Sequence, residues 1–182
     1  FYGCSNLQEL PSTFPLWRVS DNKNNMFRKC TSLGSPDLTD WDLSTVTNAD
    51  YFFQESGLVS PDLSGWDLSS ATAYHRFYSC TSLTNPNMSG WKAPRATNFN
   101  SMFQGCTSLE NPDLSNWNIS KVTGISSMFN GCTSLTNPDL SNWNISKVTS
   151  MSSMFSSCTS LSSPDLSGWT MGNVVDMNSM FQ

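Results

Sequence analysis

One feature constrains this chain above all others: it repeats itself. The cysteines are Cys4, Cys30, Cys80, Cys106, Cys132 and Cys158, at spacings of 26, 50, 26, 26 and 26. The gap of 50 is 26 plus 24, with Ser56 where a cysteine would fall. Units therefore start near residues 4, 30, 56, 80, 106, 132 and 158, and the third is two residues short. Other residue types recur in phase. A leucine rank runs Leu7, Leu33, Leu58, Leu83, Leu109, Leu135 and Leu161, in fourth place except for Leu58, which is third in the short unit. A second apolar rank is Leu38, Leu63, Met88, Leu114, Leu140 and Leu166. A tryptophan rank is Trp41, Trp66, Trp91, Trp117, Trp143 and Trp169. An aromatic ahead of each cysteine step reads Phe1, Phe27, Phe53, Tyr78, Phe103, Phe129, Phe155 and Phe181.

Ranks of this kind suit a stack, in which each coil places the same side chain about 4.8 Å from its counterpart. A lone unit would not hold. About six large apolar groups contribute roughly 1.5–3 kcal/mol each on burial, whereas every ordered residue costs about 1–2 kcal/mol of backbone entropy. Coils that share faces overcome that deficit together. The expected architecture is a single solenoid domain over residues 1–182, right-handed and leucine-rich-repeat-like, with about seven units. Each unit is expected to hold a short strand, a bend after Trp, and a helical or 3₁₀ return. The return rests on Val122, Ile125, Met128 and Phe129, whose spacing suits one buried helical stripe. The proline rank Pro36, Pro61, Pro86, Pro112, Pro138 and Pro164 delays the strand to the following residue, because proline donates no ladder hydrogen bond.

The units CTSLENPDLSNWNISKVTGISSMFNG from Cys106 and CTSLTNPDLSNWNISKVTSMSSMFSS from Cys132 carry a resemblance. Their pattern is similar to the BspA-like bacterial surface-protein repeat, a branch of the leucine-rich-repeat superfamily. Most ranks fit in six of the seven units; the first keeps only Leu7, Met26, Phe27 and its cysteine. The resemblance implies a secreted or cell-surface protein used for adhesion, attachment or surface coats, without catalysis. It names no ligand.

Charge narrows the partners. Lys plus Arg is 9 against 14 Asp plus Glu, a net of −5. Nucleic acid and anionic membranes are therefore not expected as main partners, since both need clustered cations. No apolar run is long enough to span a membrane. No Ser/His/Asp set, paired-carboxylate site or phosphate loop is present, and no cofactor is expected. His75 stands alone on the irregular unit.

Four sets of residues remain as candidate chemistry. Stacked neighbours would hold the cysteines within disulfide reach, pairing Cys4 with Cys30, Cys80 with Cys106 and Cys132 with Cys158; the alternative is a column of buried thiols. Asp37, Asp62, Asp113, Asp139 and Asp165 form an outward acidic rank, with Asn87 in phase. These are either calcium candidates or turn residues that accept backbone hydrogen bonds. Asn87, Asn118 and Asn144 head Asn-x-Ser triplets and are glycosylation candidates. The threonine ranks Thr31, Thr81, Thr107, Thr133, Thr159 and Thr47, Thr72, Thr97, Thr123, Thr149 read as β-surface residues or O-glycosylation sites.

The aromatic rank runs to Phe1 and Phe181 without a polar cap, so a longer array or end-to-end copies are expected. The function expected is a non-enzymatic extracellular or cell-surface structural protein, an adhesin stalk or fibre subunit. Its partners would be copies of itself or a surface protein or glycan. The competing class is a calcium- or glycan-dependent ligand-binding module.

Overall fold

The computed structural model describes residues 1–10, 24–71 and 75–182. Residues 11–23, in the divergent first unit, and Thr72 of the second threonine rank lie outside them. Successive units lie one on another as hydrogen-bonded layers. Parallel bridges join Asp37 to Asp62 and Asp62 to Asn87, then Asn98 to Gly124, Gly124 to Ser150 and Ser150 to Asp176. Each bridge links equivalent residues of adjacent units. In the Pro–Asp segment, Asn87 N–H donates to the Pro61 carbonyl at 3.1 Å and Leu63 N–H to the Asn87 carbonyl at 2.9 Å. Pairing therefore begins beside the proline, which accepts but cannot donate.

The return segment differs from the expected helix. Among the described residues there is no α- or 3₁₀-helix. Alternate N–H groups serve different partners. Phe99, Ser101, Phe103 and Gly105 donate to the carbonyls of Gly124, Ser126, Met128 and Asn130 in the next layer, at 2.8–2.9 Å. Met102, Gln104 and Cys106 instead close tight turns onto Phe99, Ser101 and Phe103 at 3.0–3.3 Å. A helix would consume all these donors within one layer. Spacing alone could not separate the two, since both bury residues three or four apart.

Left-handed backbone makes this alternation work. One rank with positive φ lies five residues before Cys30, Ser56, Cys106, Cys132 and Cys158 and recurs in phase at Ser179: Asn25, Tyr51, Ser101, Ser127, Ser153 and Ser179, all at 55–59°. A second lies immediately before the cysteine or Ser56: Gly3, Lys29, Glu55, Ser79, Gly105, Gly131 and Ser157, at 56–75°. Only Gly adopts this conformation freely; other residues pay roughly 1–2 kcal/mol. The strain is offset because each such turn hands a donor to the neighbouring layer.

The core is made of continuous ladders. Leu33, Leu58, Leu83, Leu109 and Leu135 are fully buried, as are Leu38, Leu63, Met88, Leu114 and Leu140. Phe1, Phe27, Phe53, Phe77, Phe103, Phe129, Phe155 and Phe181 stack with ring centroids 5.3–6.0 Å apart and planes within 16°. Phe77, not Tyr78, fills that rank: the ladder uses the residue three before the cysteine. The tryptophans stack likewise from Trp41 to Trp169 at 5.1–6.4 Å. Offset aromatic pairs add about 0.5–1.5 kcal/mol each beyond their buried area. Indole N–H groups also reach the preceding layer, Trp66 to the Leu38 carbonyl at 2.9 Å and Trp143 to Leu114 at 3.1 Å.

One of the two residues that the short unit lacks is accommodated at Gly57; the other is missing between Thr72 and Cys80. The Gly57 N–H donates to the Cys30 carbonyl at 3.0 Å. A Cβ there would lie 2.0 Å from the Thr31 carbonyl oxygen. Without a side chain the backbone cuts across, and Leu58 enters the core one place early.

Candidate functional surface

The buried cysteines form a column of hydrogen-bond donors. Cys30, Cys80, Cys106, Cys132 and Cys158 point Sγ at the carbonyls of Phe1, Phe53, Phe77, Phe103 and Phe129, at 3.0–3.1 Å. All six cysteines are unbridged in the structure, and Cys4 is exposed. Burial pushes the Cys80 and Cys158 thiols up to about 11 and raises Cys106 and Cys132 further. Ser56, replacing the missing cysteine, sits 3.6 Å from Cys80 Sγ. Inert thiols of this kind are structural.

The acidic rank is committed to local turns. Oδ1 of Asp37 accepts from the Thr39 N–H at 3.1 Å and hydroxyl at 2.8 Å. Asp113 and Asp139 do the same with Ser115 and Ser141, both hydroxyls at 2.7 Å. Asp62 and Asp165 take the N–H of Ser64 and Ser167, and Asn87 repeats the motif with Ser89. The hydroxyl bonds, then the N–H bonds, hold Asp37, Asp139 and Asp165 below the usual carboxylate range. Among the described residues no three acidic, His or Cys side chains converge as a metal-binding group.

A second set of turns follows each tryptophan. Asn118 and Asn144 accept from the N–H of Ser120 and Ser146 at 3.1 Å, as Asp42 and Asp67 do from Ser44 and Ser69. Asn87, Asn118 and Asn144 are all exposed. The threonine hydroxyls of Thr107, Thr133 and Thr159 donate to the carbonyls of Thr81, Thr107 and Thr133 at 3.2–3.4 Å. Thr123 and Thr149 repeat this at 3.1–3.2 Å. Asn85, Asn111 and Asn137 form a further ladder, each accepting an N–H from the next layer at 3.0–3.2 Å. His75 meets Asp50 at 3.4 Å and stacks on Tyr51 at 5.6 Å. The hydrogen bond from His75, opposed by partial burial, sets Asp50 below its usual range.

The edge after the tryptophans holds what the sequence reading missed. Arg95, Lys121 and Lys147 share one phase, each two residues before Thr97, Thr123 and Thr149, whose backbones bond directly between layers at 2.9 Å. Lys92 lies just ahead of the turn that carries Arg95, in a bridge to Asp67. All four are exposed. Counting residue types in phase, rather than net charge, would have found them. An open depression of about 250 Å³ lies on the same edge, lined by Asn142, Trp143, Asn144, Ser146, Gly168 and Thr170.

These features define a repeat protein in which most in-phase residues serve the layers themselves, closing turns within one or bonding it to the next. The chain belongs to the DUF285 family, described as Mycoplasma protein of unknown function, whose profile matches residues 1–112 and 97–182. No curated protein matches the chain. Among the described residues no helix is long and apolar enough to cross a membrane.

Proposed function

We propose that this chain is a non-enzymatic structural repeat protein of the extracellular space or cell surface, an adhesin stalk or fibre subunit. Its fold in this reading is a right-handed, leucine-rich-repeat-like solenoid of the BspA-like kind. One observation supports the reading most: polar residues that recur in phase are engaged with the backbone. Asp and Asn close turns, Thr hydroxyls bind the preceding layer, and the buried thiols cap Phe carbonyls. Such a body gains length by adding layers and presents long uniform faces.

End-to-end stacking in this reading extends the step seen between layers, in which each ring of the Phe rank packs face to face on the next at 5.3–6.0 Å. Head-to-tail contact of this type yields open fibres unless a rotation closes it. Sedimentation across a concentration series, with electron microscopy, tests the fibre reading. Growing polymers of constant width are expected, and a discrete monomer at every concentration removes it. Surface labelling of intact cells with an antibody to the chain tests location.

A further inference from the structure

We infer that the edge following the tryptophans is a binding stripe for a linear sulfated polysaccharide. Four of the nine cations, Lys92, Arg95, Lys121 and Lys147, gather there although the chain is acidic overall. They are also the only Lys or Arg residues after Arg76. The other described cations are engaged elsewhere. Arg28 and Lys29 meet Glu55 at 3.3 and 3.7 Å, and Arg76 is buried, bonding to the Ala49 carbonyl. The four stripe residues form no ion pair with a described residue. Arg95, Lys121 and Lys147 repeat at the layer step, about 4.8 Å for paired backbones. Like charges so close repel one another modestly in water, and a bound row of anions reverses the sign of that interaction. Release of the anion's condensed counterions adds a salt-dependent gain.

The surroundings select the type of polyanion. Asn142, Asn144, Ser146 and Thr170, which line the depression reached by the residue preceding Lys147, supply neutral hydrogen-bonding groups suited to sugar hydroxyls. Trp91, Trp117 and Trp143 are buried, so they offer no platform for base stacking, which single-stranded nucleic acid requires. Ile119 and Ile145 on the same turns are buried too, leaving no apolar wedge for a bilayer. Asp67 pairs with Lys92 in the ladder and limits the stripe on one side, so the polymer lies over the layers from Lys92 to Lys147. Asn118 and Asn144 flank the stripe, and N-glycans there would cover it. Glycosylation at those residues and polysaccharide binding exclude one another.

This inference rests on the surface-protein reading for its biological sense, but its test does not depend on fibres or location. Dextran sulfate is titrated into the purified, unglycosylated full chain at low salt, with neutral dextran, duplex DNA and anionic vesicles in parallel. Saturable binding to dextran sulfate alone is expected, weakening steeply with salt. The triple variant Arg95→Gln, Lys121→Gln, Lys147→Gln should weaken it at least tenfold and flatten the salt dependence, with an unchanged melting temperature. Reversal at Lys121→Glu alone should act in the same direction. No binding by the wild-type chain, equal binding by the triple variant, or tighter binding to DNA or vesicles would overturn the proposal. A fibre that fails to bind sinks the stripe alone; a monomer that binds sinks the fibre alone.

Discussion

At the scale of single residues, the thiols show how burial sets chemistry. Cys80 and Cys158 are held up to about 11 against an ordinary 9.0, chiefly by desolvation. Between those limits the folded chain keeps protons that the unfolded chain releases. Their contribution to stability is therefore complete below about pH 9 and lost as pH rises through about 11. Melting temperatures across that range should fall, and less steeply in the variant Cys80→Ala, Cys158→Ala; parallel slopes would contradict the assignment. Ellman's reagent should label one thiol, Cys4, in the native chain and all six after denaturation. Fewer than six in denaturant would show bridges instead. The cysteine rank itself was legible from spacing. Its role was not, because the acceptor lies 29 residues back, on the preceding layer's Phe27-type ladder. The acidic rank was legible only as two alternatives, because an Asp two residues ahead of Ser or Thr reads equally as a ligand or a turn; the Oδ1 contacts are those of the turn.

At the scale of the element, backbone conformation governs. Ser101 sits at φ 56° among residues that donate alternately outward and inward. Replacement by Gly removes left-handed strain at the cost of a more flexible unfolded chain, so Ser101→Gly should be neutral or stabilising by up to about 1 kcal/mol. Ser101→Val should destabilise by roughly 1–2 kcal/mol or more, since β-branching worsens the same conformation. Urea melts of both variants check this, and a Val variant as stable as wild type would refute the strain argument. Gly57 is the second test. Gly57→Ala drives a Cβ into the Thr31 carbonyl and should cost at least about 1–3 kcal/mol, whereas Gly34→Ala meets nothing within 4 Å and should be near neutral. The expectation of a helical return failed here. Val122, Ile125, Met128 and Phe129 are buried as their spacing implied, but a repeated tight turn buries the same stripe and frees donors for the next layer.

At the scale of the whole molecule, two aromatic columns and the leucine and cysteine ranks run through the stack, and adjacent layers share hydrogen bonds on several arcs. Stability therefore resides in the interfaces between layers rather than in any one of them. This organisation was the most legible part of the sequence, because phase is visible without knowing the path of the chain within a unit. In the irregular layer the expected ring was Tyr78, although a strict count of three residues back from Cys80 gives Phe77, the ring that packs between Phe53 and Phe103. The direct test of layer-on-layer registry is bridging by dibromobimane, which fluoresces only when one molecule joins two close thiols. In a Cys4→Ser background, Thr107→Cys with Thr133→Cys should bridge readily in the folded chain. Thr107→Cys with Thr159→Cys, two layers apart, should not. Equal bridging by the two pairs, or none by the first, would contradict the stack.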